Sequence, residues 1–436
     1  MISDNISFKN FKLKNKNQKL KQKLISILSE ENEVINSLKK SYKNSYTKKL
    51  INKFKKSKNF RLIGIGGSIL GTKTIYEFLN YKIKKNFIFI DNLQAKQNKS
   101  QKKKFTNLIV SKSGNTLETI VNTNLYLKKK DKNIFLTENK NNYLYSLAQK
   151  LKSEIVHHNN FIGGRYSVLS EVGMLPAELM GLDSKKFKQF DSLIKNKKFI
   201  KSLIDNVSST LKLIKNKKNN SVIINYDEKS ENLFKWYQQL VAESLGKDSI
   251  GILPIVSNMP KDNHSVMQLY LDGYKNNFFT FFYVNENKTP KINNIIFNKD
   301  NNYLKNKNLS DIIYAQFKAT QNVFAKKNIP FRSFEIKKRD EKTLGELFCF
   351  FILETILLGN CLKINPYDQP AVELIKKETK RCLGVIDQLK TEYKKSSTKI
   401  KNSPVITKLM DMQLSFLDDK GFKDNILNKI SSQRFS

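Results

Sequence analysis

Short apolar runs alternate with stretches of helical periodicity in the first half of the chain. The pattern predicts buried strands over 60–65, 86–91, 108–111 and 133–137, with helices near 68–80, 117–130 and 143–151. Strands separated by helices in this way are typical of a parallel sheet that carries helices on both faces.

The same alternation starts again in the second half. It predicts strands over 221–226, 252–256, 278–284 and 331–336, with helices near 230–245, 264–273, 309–328 and 343–362. We therefore predict an α/β fold with two sheet-containing units. The predicted division is an N-terminal helical segment over 1–50, a first domain over 51–182, a helical connector over 183–220, a second domain over 221–380 and a C-terminal helical tail over 381–436.

The composition allows large hydrophobic cores. The chain has 436 residues, of which 39% are hydrophobic, so global disorder is not expected. Its most apolar stretch, 344–362, is interrupted by Glu346 and Glu354, and we expect a buried helix there rather than a membrane span. The first residues lack a charged region followed by an apolar one, so no secretory leader is expected.

The cysteines and histidines indicate neither a disulfide framework nor a metal site. Cys349, Cys361 and Cys382 are odd in number and lack metal-ligand spacing, and the chain has only three histidines. A reducing cytoplasm fits this pattern.

The net charge of +40 has two explanations. It could indicate a polyanionic partner such as nucleic acid, or a compositional bias towards lysine and asparagine. Arginine, which makes the bidentate contacts of specific nucleic-acid readers, occurs at only six positions. We favour the bias and predict no nucleic-acid and no membrane partner, although the charge would attract an anionic substrate.

Two segments that follow predicted strands have residues suited to anions. In 64–71 (GIGGSILG), glycines precede a helix start at Ser68, although tight packing of the helix on its strand would also explain them. In 111–116 (SKSGNT), three hydroxyls and Lys112 suit a single phosphate, and a Ser-rich helix cap is the alternative. Neither segment has the spacing of a dinucleotide or triphosphate loop, so no cofactor is predicted.

Four further segments carry candidate catalytic groups. Arg165 follows two glycines and could stabilise an oxyanion. Gln239 and Glu243 share a helix face, and Glu243, among apolar neighbours, is a candidate general base. His264, at a helix start, could move a proton near neutral pH. Lys376 lies in a helix after a proline-bounded loop. Each of these residues, taken alone, could equally be an ordinary surface or capping residue.

In this order, the motifs resemble those of the phosphoglucose isomerase family in its compact bacterial form. The resemblance covers roughly 55–380 and rests on GIGGSILG, SKSGNTLET, GGRYSVLS at 163–170, QLVAESLGK at 239–247, HSVMQ at 264–268 and NPYDQPAVELIK at 365–376. It implies two sugar-isomerase domains, each a doubly wound parallel sheet, with helical N- and C-terminal extensions.

The resemblance also implies which residues bind the substrate. The phosphate would lie on the 111–116 loop and the sugar beside the glycine turn. The implied set is Gly67, Ser68, Ser111, Lys112, Ser113, Thr116, Gln239 and Gln369.

The implied catalytic residues divide one reaction among them. Glu243 would move a proton between carbons 2 and 1 through a cis-enediol, and Arg165 would stabilise the enediolate charge. His264 would help to open the sugar ring, with Lys376 on the ring-oxygen side. In the family the histidine comes from the partner subunit, which implies a homodimer.

The leading hypothesis is therefore reversible conversion of glucose 6-phosphate to fructose 6-phosphate, in glycolysis and gluconeogenesis, without metal or cofactor. One alternative is an isomerase of the same fold that acts on mannose 6-phosphate. Another is a non-catalytic sugar-phosphate sensor, which would predict loss of Glu243 and His264. A polyanion-binding protein would predict arginine and aromatic clusters near the lysine runs, and none is found there.

Overall fold

The structure is a computed structural model that describes residues 2–13, 18–94, 104–128, 131–286, 288–293 and 301–395. Most of the predicted tail over 381–436 lies outside these residues. The chain divides into two compact units, Met1–Asp368 and Gln369–Ser436. Both sheets belong to the first unit, and the second is described here by one helix, Val372–Lys395.

All eight predicted strands are present, together with two that were not predicted. Within the described residues the strands are β1 (Ile6–Lys9), β2 (Asn59–Ile63), β3 (Asn86–Ile90), β4 (Thr106–Val110), β5 (Lys132–Thr137), β6 (Glu154–His157), β7 (Asn220–Asn225), β8 (Leu253–Asn258), β9 (Asn277–Val284) and β10 (Phe331–Ile336).

In the part of the chain that the structure describes, α-helices connect most of these strands. They are α1 (Gln18–Ser29), α2 (Glu33–Leu38), α3 (Lys48–Phe54), α4 (Leu70–Phe78), α5 (Leu117–Tyr126), α6 (Tyr143–Lys150), α7 (Glu171–Met180), α8 (Ser184–Phe187), α9 (Phe190–Lys195), α10 (Lys197–Lys215), α11 (Glu231–Leu245), α12 (Met267–Asp272), α13 (Leu309–Lys326), α14 (Glu341–Leu362) and α15 (Val372–Lys395).

The first sheet is entirely parallel, as predicted. Its strand order is β3-β2-β4-β5-β6. Every residue of the central strand β4 is buried, as expected of a strand covered on both faces. The edge strand β6 has a single buried residue, Val156, which explains why apolar patterning missed it.

The second sheet has the order β1-β10-β9-β7-β8, with four parallel strands and one antiparallel edge. That edge is β1, where Ile6 lies opposite Ile336. The 1–50 segment, predicted to be helical, thus contains a strand as well as α1, α2 and α3. Its short alternation of buried and exposed residues is typical of an edge strand and is too brief to predict from pattern alone.

The two sheets repeat one topology. In each, the first parallel strand lies between the second and the third, at β2 and at β7. Connections on the two sides of such a strand run in opposite directions, and this leaves a crevice beyond the carboxyl ends of the strands. In the first sheet the crevice lies where β2 adjoins β4.

The helix α14 is the core of the first unit. It is long and apolar enough to span a membrane, but 89% of its most apolar window is buried inside the protein. Its two internal carboxylates are satisfied there: Ser3 donates to Glu346 at 2.6 Å, and Arg332 forms a buried ion pair with Glu354. The hydroxyl of Tyr237 on α11 is hydrogen-bonded to both Glu354 and Arg332. This buried group of polar side chains therefore extends to the helix that carries Glu243.

Candidate active site

The predicted anion-binding segments meet at the crevice of the first sheet. The segment 64–68 leaves the carboxyl end of β2, and the segment 111–116 leaves the carboxyl end of β4. Since β2 and β4 are hydrogen-bonded neighbours, the two segments emerge side by side. This is the position at which open α/β sheets bind their ligands.

Glycines are needed at positions 66 and 67 because neighbouring parts of the protein pack closely against this turn. Gly66 has a φ of +55°, which favours glycine. A Cβ atom on Gly67 would lie 2.2 Å from the carbonyl carbon of Gly164, and one on Gly66 would lie 2.8 Å from Nε2 of Gln239. The turn therefore brings Gln239 and the Gly164–Leu169 3-10 helix against the end of β2. Ser68 lies half-buried at the end of this turn.

Hydroxyl groups converge in the second segment. The Oγ of Ser111 lies 2.9 Å from Oγ1 of Thr116, which in turn lies 3.5 Å from Oγ of Ser113. Gly114 has a φ of +64°, so the loop turns sharply before α5 begins. Ser111 is buried whereas Ser113 is exposed. The loop therefore offers a hydroxyl to solvent beside a helix N-terminus, which suits a phosphate.

Lys112 supplies a positive charge beside these hydroxyls. Its ammonium lies 3.8 Å from the carboxylate of Glu138. Partial burial lowers the pKa of Lys112, and the nearby Glu138 opposes that effect. A bound phosphate dianion would add a second partner for this partly desolvated cation.

Ser113→Ala should raise KM more than it lowers kcat. The resemblance implies a substrate phosphate on this loop, which the exposed hydroxyl of Ser113 would contact in the substrate and in the transition state alike, so its loss should remove uniform binding. We expect a KM roughly 5- to 20-fold higher, which corresponds to about one charge-assisted hydrogen bond. Initial rates over a range of fructose 6-phosphate concentrations measure the split. A defect in kcat alone would contradict phosphate binding by this loop.

Arg165 is buried and held from several sides, with a side chain that is 2% exposed. Its Nε donates to Oγ of Ser244 at 2.8 Å, and its Nη1 donates to Oε2 of Glu243 at 3.2 Å. Its Nη2 donates to the carbonyls of Pro366 at 2.7 Å and Asp368 at 2.9 Å. The guanidinium is thus set in one orientation at the base of the site.

Glu243 differs from the sequence prediction in its surroundings. We expected an apolar setting, but its carboxylate contacts Arg165 through one oxygen and accepts a hydrogen bond from Nε2 of Gln239 at 2.8 Å through the other. Gln239 and Glu243 share a face of α11, as their spacing predicts. The Glu243 side chain is 28% exposed, so a ligand can reach it.

An open cleft of about 630 Å³ leads to Glu243 and Gln239. It is large enough for a small metabolite. Its walls come from α4, the end of β3 and α11, and include an ion pair of 2.8 Å between Lys73 and Asp91.

The contacts given above do not involve three other predicted residues. His264 is exposed on a turn after β8, and it is not among the described residues that line the cleft. Lys376 lies on α15 in the second compact unit, where it pairs with Glu373 at 2.5 Å. Gln369 is the first residue of that unit. The roles of these three residues remain predictions.

Sequence reasoning missed the residues that hold Arg165. Tyr166 donates to the carbonyl of Pro366 at 2.9 Å and lies 2.8 Å from Oγ of Ser244. Trp236 donates from Nε1 to the carbonyl of Arg165 at 3.0 Å. Tyr166 and Ser244 directly follow the predicted site residues Arg165 and Glu243 in the sequence. This proximity could have identified them as members of the site.

Comparison with known proteins decides the family. A family model described as phosphoglucose isomerase matches residues 4–252, more than half of the chain. The chain belongs to the phosphoglucose isomerase family.

Curated relatives match along most of their length. A glucose-6-phosphate isomerase of Methanocaldococcus jannaschii is 34% identical over 348 residues, which cover 76% of this chain and 84% of the relative. A probable glucose-6-phosphate isomerase of Methanococcus maripaludis is 32% identical over 415 residues, which cover 87% of this chain and 91% of the relative.

Solved structures share the fold. A glucose-6-phosphate isomerase from Chlamydia trachomatis superposes with a TM-score of 0.63 at 16% identity, covering 93% of this chain and 85% of that one. A hypothetical protein from Thermus thermophilus superposes with a TM-score of 0.70 at 22% identity, covering 84% of this chain and 94% of that one. The predicted α/β fold class with parallel sheets is confirmed.

Proposed function

We propose that this chain interconverts glucose 6-phosphate and fructose 6-phosphate. The observation that carries the proposal is the cluster of Glu243, Arg165 and Gln239 beside a hydroxyl-rich loop. Aldose–ketose exchange needs a base that moves one proton, a cation that stabilises the resulting oxyanion and a group that holds the phosphate. Side chains of these kinds meet at the crevice of the first sheet.

The substrate phosphate would bind the 111–116 loop. The exposed hydroxyl of Ser113 and the ammonium of Lys112 would contact its oxygens, and the N-terminus of α5 would favour its charge. The sugar would extend from this loop towards Glu243, because the neighbouring turn after β2 lies against Gln239, which is hydrogen-bonded to Glu243.

Glu243 would transfer the proton between carbon 2 and carbon 1. The carboxylate removes the proton from one carbon and the electron pair forms the cis-enediolate. A hydroxyl proton passes between the oxygens on carbons 1 and 2, and the same carboxylate then returns its proton to the other carbon. The positive charge of Arg165, which already faces Oε2 of Glu243, would stabilise the enediolate oxygen. Gln239 holds the second carboxylate oxygen and so limits rotation of the base.

Ring opening would be shared between two subunits. We propose a homodimer in which His264 of each copy reaches the cleft of the other. Its support is that His264 is exposed on its own subunit, and that the same segment also exposes Leu269 at 45% and Tyr274 at 72%. We further propose that Lys376 acts on the ring-oxygen side and that Gln369 binds the sugar phosphate.

Mixing two inactive variants tests the shared site. His264→Asn and Glu243→Gln subunits, exchanged at equal concentration, should regain about a quarter of the wild-type activity, because each mixed dimer contains one site with both residues intact. Each variant mixed with itself is the control. No recovery despite demonstrated subunit exchange would show that His264 acts within its own subunit or not at all.

The overall reaction is tested by a coupled assay. Purified protein in EDTA receives fructose 6-phosphate, and glucose 6-phosphate is detected through an NADP-linked dehydrogenase. We expect turnover in the wild type. Its absence at every protein concentration would refute the proposal, and mannose 6-phosphate would then be tested.

A further inference from the structure

Lys247 follows the end of α11 and makes contacts that none of the roles above uses. Its side chain is only 11% exposed. The ammonium lies 2.8 Å from Oδ1 of Asp368, donates to the carbonyl of Ser244 at 3.2 Å and donates to the carbonyl of Asn365. A lysine has three N–H donors, and three acceptors surround this one.

Lys247 joins both ends of a short turn, which we call the 365–368 turn. Inside this turn the Asn365 side chain accepts from the backbone N–H of Tyr367 at 3.0 Å and donates to Oδ2 of Asp368 at 3.0 Å. Lys247 contacts the carbonyl of the first residue and the carboxylate of the last. The lysine thus connects the end of α11 to a turn more than one hundred residues away in the chain.

The same turn orients the active-site arginine. Two of its carbonyls, those of Pro366 and Asp368, accept hydrogen bonds from Nη2 of Arg165 at 2.7 and 2.9 Å. The direction of the guanidinium therefore depends on where these carbonyls lie. Their position depends in turn on Lys247, which draws the turn towards the helix that carries Glu243.

We propose that Lys247 is a positioning residue for the isomerisation. By fixing the 365–368 turn, it keeps the carbonyls of Pro366 and Asp368 where they hold Arg165 against Glu243. The described contacts of Lys247 include neither Arg165 nor Glu243, so its effect passes through the turn. This inference rests on the proposed function, because it concerns the geometry of that reaction.

Removing the ammonium should lower kcat and leave KM nearly unchanged. A small displacement of a catalytic group can reduce the rate by about 100-fold, so we expect Lys247→Met to lower kcat roughly 10- to 100-fold. KM should stay within about 3-fold, because the phosphate loop is intact. A sugar-phosphate hydroxamate that mimics the enediolate should lose affinity in parallel with kcat. Lys247→Arg, which keeps the charge, should restore part of the rate.

Two variants separate positioning from general stabilisation. Lys318→Met removes a lysine with a comparable ion pair, 2.6 Å to Glu335, between α13 and β10, and should leave kcat unchanged. Asp368→Asn keeps the backbone carbonyl that Arg165 uses but weakens the attraction to Lys247. It should lower kcat less than Lys247→Met does. In the double variant, Asp368→Asn should cause little further loss of kcat beyond that of Lys247→Met, because both changes break the same contact between Lys247 and Asp368.

The outcomes distinguish this inference from the proposed function. An inactive wild type would refute the proposed function. If the wild type is active and the kcat of Lys247→Met lies within about 2-fold of the wild-type kcat, the positioning role is overturned. Equal losses of kcat in Lys247→Met and Lys318→Met would also overturn it. Should Lys247→Met fail to fold, Lys247→Arg and Asp368→Asn carry the test, and a wild-type kcat in both would overturn the role.

Discussion

Glu243→Gln should lower kcat by roughly 10²- to 10⁴-fold, the usual contribution of a general base. Glutamine has nearly the same size as glutamate and can still accept the hydrogen bond from Gln239, but it cannot carry the proton between the two carbons. KM should change only a few-fold, because Arg165 remains held by Ser244 and the carbonyl of Pro366. Initial rates in the coupled assay measure both constants.

A second measurement isolates the proton transfer itself. In D₂O the wild type should exchange the carbon-2 proton of glucose 6-phosphate with solvent, and Glu243→Gln should lose this exchange together with turnover. Glu228→Gln, an exposed change just before α11, is the matched control and should behave as wild type. A Glu243→Gln enzyme with near-wild-type turnover would refute the assignment of the base.

Arg165→Lys should impair both catalysis and stability, although it keeps the charge. The guanidinium serves Ser244, Glu243 and two backbone carbonyls from fixed directions, and a lysine has one nitrogen in place of three. We expect kcat to fall roughly 10²- to 10³-fold, as for the loss of an oxyanion donor. The free energy of unfolding should fall by about 1–3 kcal/mol, because buried acceptors lose their donors.

Urea unfolding beside steady-state kinetics separates these two effects. Arg61→Lys is a suitable control, because Arg61 on β2 also donates to a side chain and a carbonyl, those of Asn107 on β4 and of Tyr126 at the end of α5. That variant should lose stability while its kcat stays close to that of the wild type. If Arg165→Lys retained full kcat, the arginine would have only a structural role.

Local pattern predicted most of the fold. The strands β4 and β9 are buried along their whole length, so their apolar runs were unambiguous. The strands β1 and β6 were not predicted, because they lie at sheet edges and have few buried residues. Tertiary pairing, rather than their own composition, makes them strands.

The sequence identified the residues of the candidate site better than it predicted how they contact one another. The residues Arg165, Gln239 and Glu243 were chosen from their motifs, and the structure brings them into contact. The apolar setting expected for Glu243 was wrong, because a helix seen alone shows its neighbours in sequence and not the arginine that packs against it. The turn at 365–368 was read only as a loop before a helix.

The sequence by itself determined the order of eight strands and the helices between them, the α/β class with two sheets and the chemical groups of the site, because apolar periodicity and turn residues act over a few neighbouring positions. Only the tertiary structure decided how those groups meet. Arg165 reaches Glu243 across 78 residues and the carbonyl of Pro366 across 201. Such contacts depend on how the two sheets and their helices pack, and no local spacing encodes that packing.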